Sequence, residues 1–160
     1  MRGSLPGPMM PLTICRAELK DVDEAFAITT EYYDAVGVLE REDIETFARI
    51  YFGIKAGFWL ARRGSAVVGC VGLKPLKSPP NSGEVKRLYV QPASRGQGIA
   101  DELVDALHFY ARAVGWQSLY LDSKDDLRAA HRFYERRGYK RCPRYNDNRQ
   151  ATIFMVYDLR

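Results

Sequence analysis

Glu84-Val85-Lys86-Arg87-Leu88-Tyr89-Val90-Gln91-Pro92-Ala93-Ser94-Arg95-Gly96-Gln97-Gly98-Ile99-Ala100 is the most telling stretch of this 160-residue chain. Glu84 to Gln91 reads as a strand, and Pro92 ends it by withholding a ladder donor. The turn Arg95-Gly96-Gln97-Gly98 then opens a long amphipathic helix, because Ile99, Leu103, Ala106, Leu107, Tyr110 and Val114 recur at three and four until Gly115. The first turn of such a helix has unpaired N–H groups and a positive dipole end, and the small residues Gly96, Gly98 and Ala100 let a ligand approach the backbone. A pyrophosphate fits that description. Two familiar phosphate motifs are absent: no Lys-Ser or Lys-Thr follows the glycines, and the run G-Q-G-I-A-D departs from GxGxxG. On the glycines alone, an ordinary strand-to-helix turn is an equal reading.

Either side of this segment, helical and strand periods alternate. Ile14 to Leu19 starts a strand, and Asp21 offers an N-cap to a helix patterned by Val22, Ala25, Phe26, Thr29, Tyr32, Tyr33 and Val36, with Gly37 at its end. A second helix is expected over about Glu42 to Lys55. Phe58 to Arg62 and Ala66 to Leu73, joined by Arg63-Gly64-Ser65, read as a β-hairpin. Lys74 to Gly83, rich in Pro, Ser and Lys, is expected to be an exposed, mobile loop. Later come a strand at Gln117 to Asp122, a helix at Asp125 to Arg137 closed by Gly138, and strands at Tyr139 to Cys142 and Ala151 to Leu159. A hairpin meander followed by alternating helices and strands predicts an α/β fold, a mixed sheet with the strand, glycine turn and helix at its centre.

Composition bounds the rest. With 46% hydrophobic and 28% charged residues, the chain reads as one globular domain that needs neither disulfides nor a metal to fold. No apolar run approaches the roughly 18 residues of a membrane span, and the prolines of MRGSLPGPMMPLTIC break any signal-peptide core. Residues 1–12 are expected to be a flexible leader, its Met1-Arg2-Gly3-Ser4 reading equally as an expression-tag remnant or a natural start, and 13–160 the domain. Cys15, Cys70 and Cys142 are odd in number and lack metal-ligand spacing, which fits a reduced cytoplasmic protein with buried thiols and no metal site. His108 is expected to be structural. His131, beside Arg132, is placed on an exposed face, and neither histidine has the partner spacing of a triad.

Arg95-x-x-Gly98-x-Ala100, following Leu88-Tyr89-Val90-x-Pro92, resembles the acetyl-CoA signature of the GCN5-related N-acetyltransferase (GNAT) superfamily, in which Gln or Arg is followed by x-x-Gly-x and Gly or Ala. Ala130-x-x-x-Tyr134-x-x-x-Gly138-Tyr139 is similar to the later helix of the same superfamily, about thirty residues on. Gly69 to Leu76, Glu84 to Val90 and Leu121-Asp122-Ser123 further resemble one branch of small members whose acceptor is uncharacterised. The resemblance covers about Ile14 to Leu159. It implies a central mixed, mostly antiparallel sheet flanked by helices, acetyl-CoA as co-substrate, and transfer of its acetyl group to a primary amine, on a small molecule or a peptide, by direct attack in a ternary complex.

It also implies roles. The N–H groups of Gln97, Gly98, Ile99 and Ala100, beside Gly96, would hold the pyrophosphate, with Arg95 as a further phosphate contact. The exposed edge of Leu88, Tyr89 and Val90 would pair with the pantetheine arm like an added strand. An amine of pKa about 10 must shed a proton at pH 7, at a cost of roughly 4 kcal/mol, and Glu84 matches the superfamily's general base, directly or through water. A backbone N–H near Leu88 or Tyr89 would stabilise the oxyanion, and Tyr134 would protonate or hydrogen-bond the departing thiolate. The plainer readings are a strand-end Glu84 paired with Lys86 or Arg87, and a Tyr134 that only packs beside Phe133. Tyr32, Tyr33, Tyr145 and Asn146 fall where the superfamily builds its acceptor site. Two departures stand out: Leu127 occupies a position where many relatives carry an asparagine that touches the cofactor, and Arg149 a position where proline is common.

The net charge of +4 has a location. Residues 124–149 hold nine Lys or Arg against four Asp or Glu, and Lys124, Arg128, Arg132 and Arg136 recur every four residues. That stripe is expected to attract the cofactor's phosphates and to lower the cost of ionising Tyr134. The basic residues carry no helix-turn-helix, RRM or zinc pattern, so a nucleic-acid partner is not expected. A membrane partner is not expected either, and the chain is read as a monomer or homodimer. The competing function is a catalytically idle acyl-CoA-binding regulatory module, which would keep the glycine turn but depend little on Glu84 or Tyr134.

Overall fold

Seven strands form one sheet in the order β1-β2-β3-β4-β5-β7-β6. In the computed structural model, which describes residues 9–160, they are β1 (Leu12–Arg16), β2 (Gly57–Arg63), β3 (Ala66–Pro75), β4 (Ser82–Val90), β5 (Ser118–Ser123), β6 (Lys140–Arg141) and β7 (Ile153–Asp158). Among the described residues there are four α-helices, α1 (Val22–Val36), α2 (Ile44–Tyr51), α3 (Ile99–Ala113) and α4 (Arg128–Arg136), and two 3₁₀ turns at Leu19–Asp21 and Pro92–Ser94. Every neighbouring pair is antiparallel except β4 and β5, so the mixed, mostly antiparallel α/β sheet read from the sequence is the one observed. Residues 1–8 lie outside the described residues, so only the end of the expected leader is seen. Leu12 already pairs with Arg63, one position before the expected start of the domain.

Two cores sandwich the sheet. Ile99, Leu103, Leu107 and Ala111 of α3 and Tyr134 of α4 pack on one face against Val71, Leu73, Val85 and Leu119, while Ala25, Ile28, Phe47 and Tyr51 of α1 and α2 pack on the other against Phe58, Leu60 and Cys70. Leu103 and Leu107 have no exposure, and truncating either to alanine should cost about 2–5 kcal/mol.

Boundaries move where specific hydrogen bonds outbid periodicity. Asp43 caps α2 by accepting from the Thr46 N–H at 2.8 Å, so that helix begins at Ile44. Near α4, Asp125 N–H is taken by Thr152 Oγ1 at 3.0 Å and the helix starts three residues later than the spacing predicts. The loop expected over Lys74 to Gly83 is trimmed from both sides, because Pro75 pairs with Gly83 and Lys74 with Glu84. Only residues 76–81 lie between the two strands.

The central strand carries a bulge. Gly72 faces Lys86 and Cys70 faces Tyr89, so Val71 alone opposes both Arg87 and Leu88, and Arg87 adopts φ 62°. One extra residue inverts side-chain parity along the strand. Before the bulge, Val85 packs into the α3 core, which leaves Glu84 and Lys86 on the α1 face. After it, Leu88 and Val90 pack into the α3 core and Tyr89 turns to the α1 side.

Both histidines are buried. His108 Nε2 lies 2.8 Å from the Tyr139 hydroxyl and the ring stacks on Tyr157, so it is structural as expected. Burial, reinforced by Arg137 and Arg112, drops its pKa to about 4. His131 corrects the sequence reading: it is 5% exposed and bonds Ser123 Oγ at 3.0 Å, because α4 turns this side, not a solvent face, toward the end of β5. Cys70 is buried, whereas Cys15 and Cys142 are half-buried, and all three are free. Among the described residues no group of side chains has metal-binding geometry, and no helix is long and apolar enough to cross a membrane.

Candidate active site

β4 and β5 pair only over Ser82↔Ser118, Gly83↔Leu119 and Glu84↔Tyr120. Beyond Glu84 the two strands separate, although β4 continues to Val90 and β5 to Ser123. A parallel pair that splays leaves backbone edges without ladder partners, and a cavity of about 690 Å³ opens there, walled by both strands, the end of α1 and the start of α4.

One mouth is the glycine turn. Gly96 and Gly98 adopt φ 78° and 77°, the left-handed region that costs an L side chain about 1–2 kcal/mol. A Cβ on either would meet nothing within 4 Å. The glycines therefore serve backbone conformation and leave open space, and Gly98 caps α3 with no side-chain bond to its first N–H groups. Gly96, Gly98, Ile99 and Ala100 line the cavity, as does Arg95, whose Nε donates to the Val90 carbonyl at 3.1 Å. Gln97 turns its side chain away, accepting from Arg63 at 2.7 Å, so only its backbone remains for a ligand. A diphosphate joined to a narrow arm fits this mouth and the cleft behind it. Leu88, Tyr89 and Val90 supply one wall.

The inner end is a network of charged side chains. Glu84, 1% exposed, accepts from the Tyr145 hydroxyl at 2.6 Å and Asn146 Nδ2 at 3.1 Å, and faces Lys86 Nζ at 3.5 Å and Lys74 Nζ at 3.6 Å. Lys86 also pairs with Asp122 at 3.2 Å, and Asn146 donates to the same Asp122 at 2.7 Å. Burial raises the Asp122 carboxyl, but Lys86 and the amides of Asn146 and Asn148 outweigh it and hold it below the usual carboxylate range. Lys86 and Asp122 reach the cavity; Glu84, Tyr145 and Asn146 stand directly behind them. The plain pairing of Glu84 with Lys86 is thus present, within a buried cluster and not at a solvated strand end.

Tyr134 and Tyr32 line the middle. Burial pushes the Tyr134 hydroxyl well above its ordinary value, Tyr32 adds to the shift, and only Arg137 opposes it. This overturns the expected easing of its ionisation by the basic stripe. The stripe itself divides: Lys124 precedes α4 and donates to the Val36 carbonyl at 2.8 Å, Arg136 pairs with Asp101, Arg132 is exposed away from the cavity, and Arg128 alone of the four lines it. Tyr33 does not reach the cavity. It is 1% exposed and bonds Glu42 and Arg87 Nε, tying the segment before α2 to the β4 bulge.

A family model described as the acetyltransferase (GNAT) family matches residues 22–139. The chain belongs to the GNAT family. Among curated relatives, an uncharacterized N-acetyltransferase of Schizosaccharomyces pombe is 31% identical over 94% of this chain and 98% of its own length. The mouse protein named "Probable N-acetyltransferase family 8 member 5" is 32% identical over 72% of this chain, which spans about half (52%) of that relative. In fold, a GNAT-family acetyltransferase from Staphylococcus aureus Mu50 aligns with TM-score 0.80 at 19% identity, covering 94% of this chain and 100% of that one. The PaiA N-acetyltransferase from Thermoplasma acidophilum, solved in complex with coenzyme A, aligns at 0.69 and 18%, covering 93% and 99%. In this member of the family the β4–β5 pair splays beyond Glu84, and the cavity is the cleft between the two strands.

Proposed function

We propose that this chain transfers the acetyl group of acetyl-CoA to a primary amine by direct attack in a ternary complex. The observation that carries this reading is one continuous cavity, which joins an open glycine turn suited to a pyrophosphate to a buried carboxylate network suited to an amine. Backbone N–H groups of Gln97, Gly98, Ile99 and Ala100 hold the phosphates, with Arg95 beside them, and the Leu88–Val90 edge receives the arm. The curated relatives described above are named as N-acetyltransferases, which supports the same chemistry.

At the inner end the residues divide the work. Glu84 takes the ammonium proton through a water, since its own oxygens, like the Tyr145 hydroxyl, lie behind Lys86 and Asp122. Asp122, held ionised, offers the incoming ammonium a counter-charge. A backbone N–H at the bulge, near Leu88 or Tyr89, faces the developing oxyanion. Tyr134 remains a neutral phenol and donates a hydrogen bond to the departing sulfur instead of surrendering its proton, because burial makes its phenolate costly; the thiolate takes the proton that the attacking nitrogen sheds as the amide forms. Tyr32 and Tyr89, in edge contact at 6.1 Å, border the acceptor's approach on the α1 side.

Thiol release from acetyl-CoA, measured across a panel of small amines and peptide amines, tests the reading. Turnover with at least one amine is expected. An acyl-CoA-binding module would show ligand-dependent thermal stabilisation without release, and absence of stabilisation at millimolar acetyl-CoA would remove the cofactor assignment altogether.

A further inference from the structure

The wall of the cleft opposite β4 is poor in neutral polar groups. Leu121, Leu127 and Ala130 are apolar, Asp122 is engaged by Lys86, Asn146 and Asn148, and Asp126 and Arg128 are charged and exposed. Ser123 and the Tyr134 phenol, assigned above to the sulfur, are the exceptions. The Ser123 backbone is committed to the sheet, pairing with Ile153 and accepting from Thr152 N–H at 2.9 Å. Ser123 lines the cleft, and its Oγ lies 3.0 Å from Nε2 of the buried His131.

A serine hydroxyl has one proton and two lone pairs, so where the proton goes determines what the cleft sees. In the Nδ1–H tautomer of the neutral ring, Nε2 is left to accept. Ser123 then donates to Nε2 and presents only lone pairs to the cleft. The pantetheine arm carries two amides, and an amide N–H on the side away from β4 needs such an acceptor.

We propose that Ser123, oriented by His131, receives an amide N–H of the pantetheine arm from the β5–α4 wall, the wall on which Leu127 can offer no polar contact. This rests on the acetyl-CoA reading above. Ser123 is the binding group and His131 its positioning residue. Around His131 stand Arg141 from β6, Glu135 on α4, and Lys124 and Asp125 from the segment before it. Burial first and Arg141 second keep the imidazole below its ordinary value, so it is neutral at pH 7. Protonation in acid reverses the bond: Nε2–H donates to Ser123, whose own proton turns into the cleft against the amide N–H.

Calorimetric titration with coenzyme A and with adenosine 3′-phosphate 5′-diphosphate, which keeps the phosphates and lacks the arm, separates the possibilities. Ser123→Ala should weaken coenzyme A by about 3- to 10-fold, the worth of one neutral hydrogen bond, and leave the armless nucleotide unchanged. Ser123→Thr, which keeps the hydroxyl, should restore affinity. In the wild type, the preference for coenzyme A over the nucleotide should shrink as the pH falls below the imidazole's ordinary 6.5, and in Ser123→Ala it should not. No loss for coenzyme A, or equal losses for both ligands, overturns the assignment while leaving the acetyl-CoA reading intact. A wild-type preference unmoved by acid overturns the part given to His131. Wild-type protein that binds neither ligand overturns the acetyl-CoA reading and this inference together.

Discussion

At the Gly96–Gly98 end the cavity is bounded by backbone in left-handed turns with open space around it, whereas at the Lys86–Asp122 end it is bounded by side chains that hold one another. The outer end is made by neighbours in sequence. The inner end joins Glu84 to Tyr145 and Asn146 across 61 and 62 positions and Asp122 to Asn146 across 24. A backbone site tolerates many side chains but not a changed dihedral; a buried ionic network tolerates a shifted backbone but not a missing partner. The first suits a cofactor whose shape never varies. The second suits selection among acceptors.

That contrast sets the expected sizes of perturbation. Glu84→Gln should lower the acetyl-transfer rate by about 10²- to 10⁴-fold with acetyl-CoA affinity unchanged by calorimetry; a parallel loss of both would mean that the two ends are not separable. Tyr134→Phe should cost about 10- to 100-fold in rate, as loss of a hydrogen bond to developing charge. Its pH profile sharpens the point. Because burial raises the phenol above its ordinary 10, the proton is retained as pH climbs, so the wild-type rate should rise with amine deprotonation and show no descending limb near pH 10. A fall there, absent in Tyr134→Phe, would show that the phenol ionises after all.

Smaller effects belong to the outer end. Gly98→Val should weaken acetyl-CoA by roughly 10-fold, through the 1–2 kcal/mol of left-handed strain and not through a clash, while catalysis at saturating cofactor is kept. Arg128→Glu should weaken acetyl-CoA several-fold at low salt and little at high salt. Arg132→Glu, one turn along on the exposed side, should do almost nothing. Titrations at two ionic strengths compare them directly.

How much was legible follows the same division. The glycine turn, α3 and Tyr134 were readable because their signals are local: dihedral-permissive residues, a 3.6 period and a fixed interval. Lys86 and Asp122 lay inside quoted segments, yet nothing along the chain says that they meet. Alternation placed Glu84 and Lys86 on one strand face, and that was the available hint. An exposed His131 follows from its neighbour Arg132 alone, and a continuous stripe follows from a spacing of four only if the helix is unbroken from Lys124. The Thr152 bond to Asp125 starts α4 late, a side-chain event with no sequence period. Tyr33 was grouped with Tyr32 by adjacency, although on a helix consecutive residues point about 100° apart.

The bulge at Arg87 gives the central strand two reading frames. Residues 82–86 follow the phase that sets Glu84 and Lys86 on the α1 face and residues 88–90 the phase that sets Leu88 and Val90 in the α3 core, with Arg87 as the spacer, anchored by Tyr33 and Glu42. Each half can change its alternating pattern without re-registering the other, much as a silent joint lets two pages be edited independently. Removing the spacer would fuse the frames and drive one half's side chains through the sheet to the opposite face. A strand so divided lets the Glu84 network change while the edge beside the glycine turn keeps its phase.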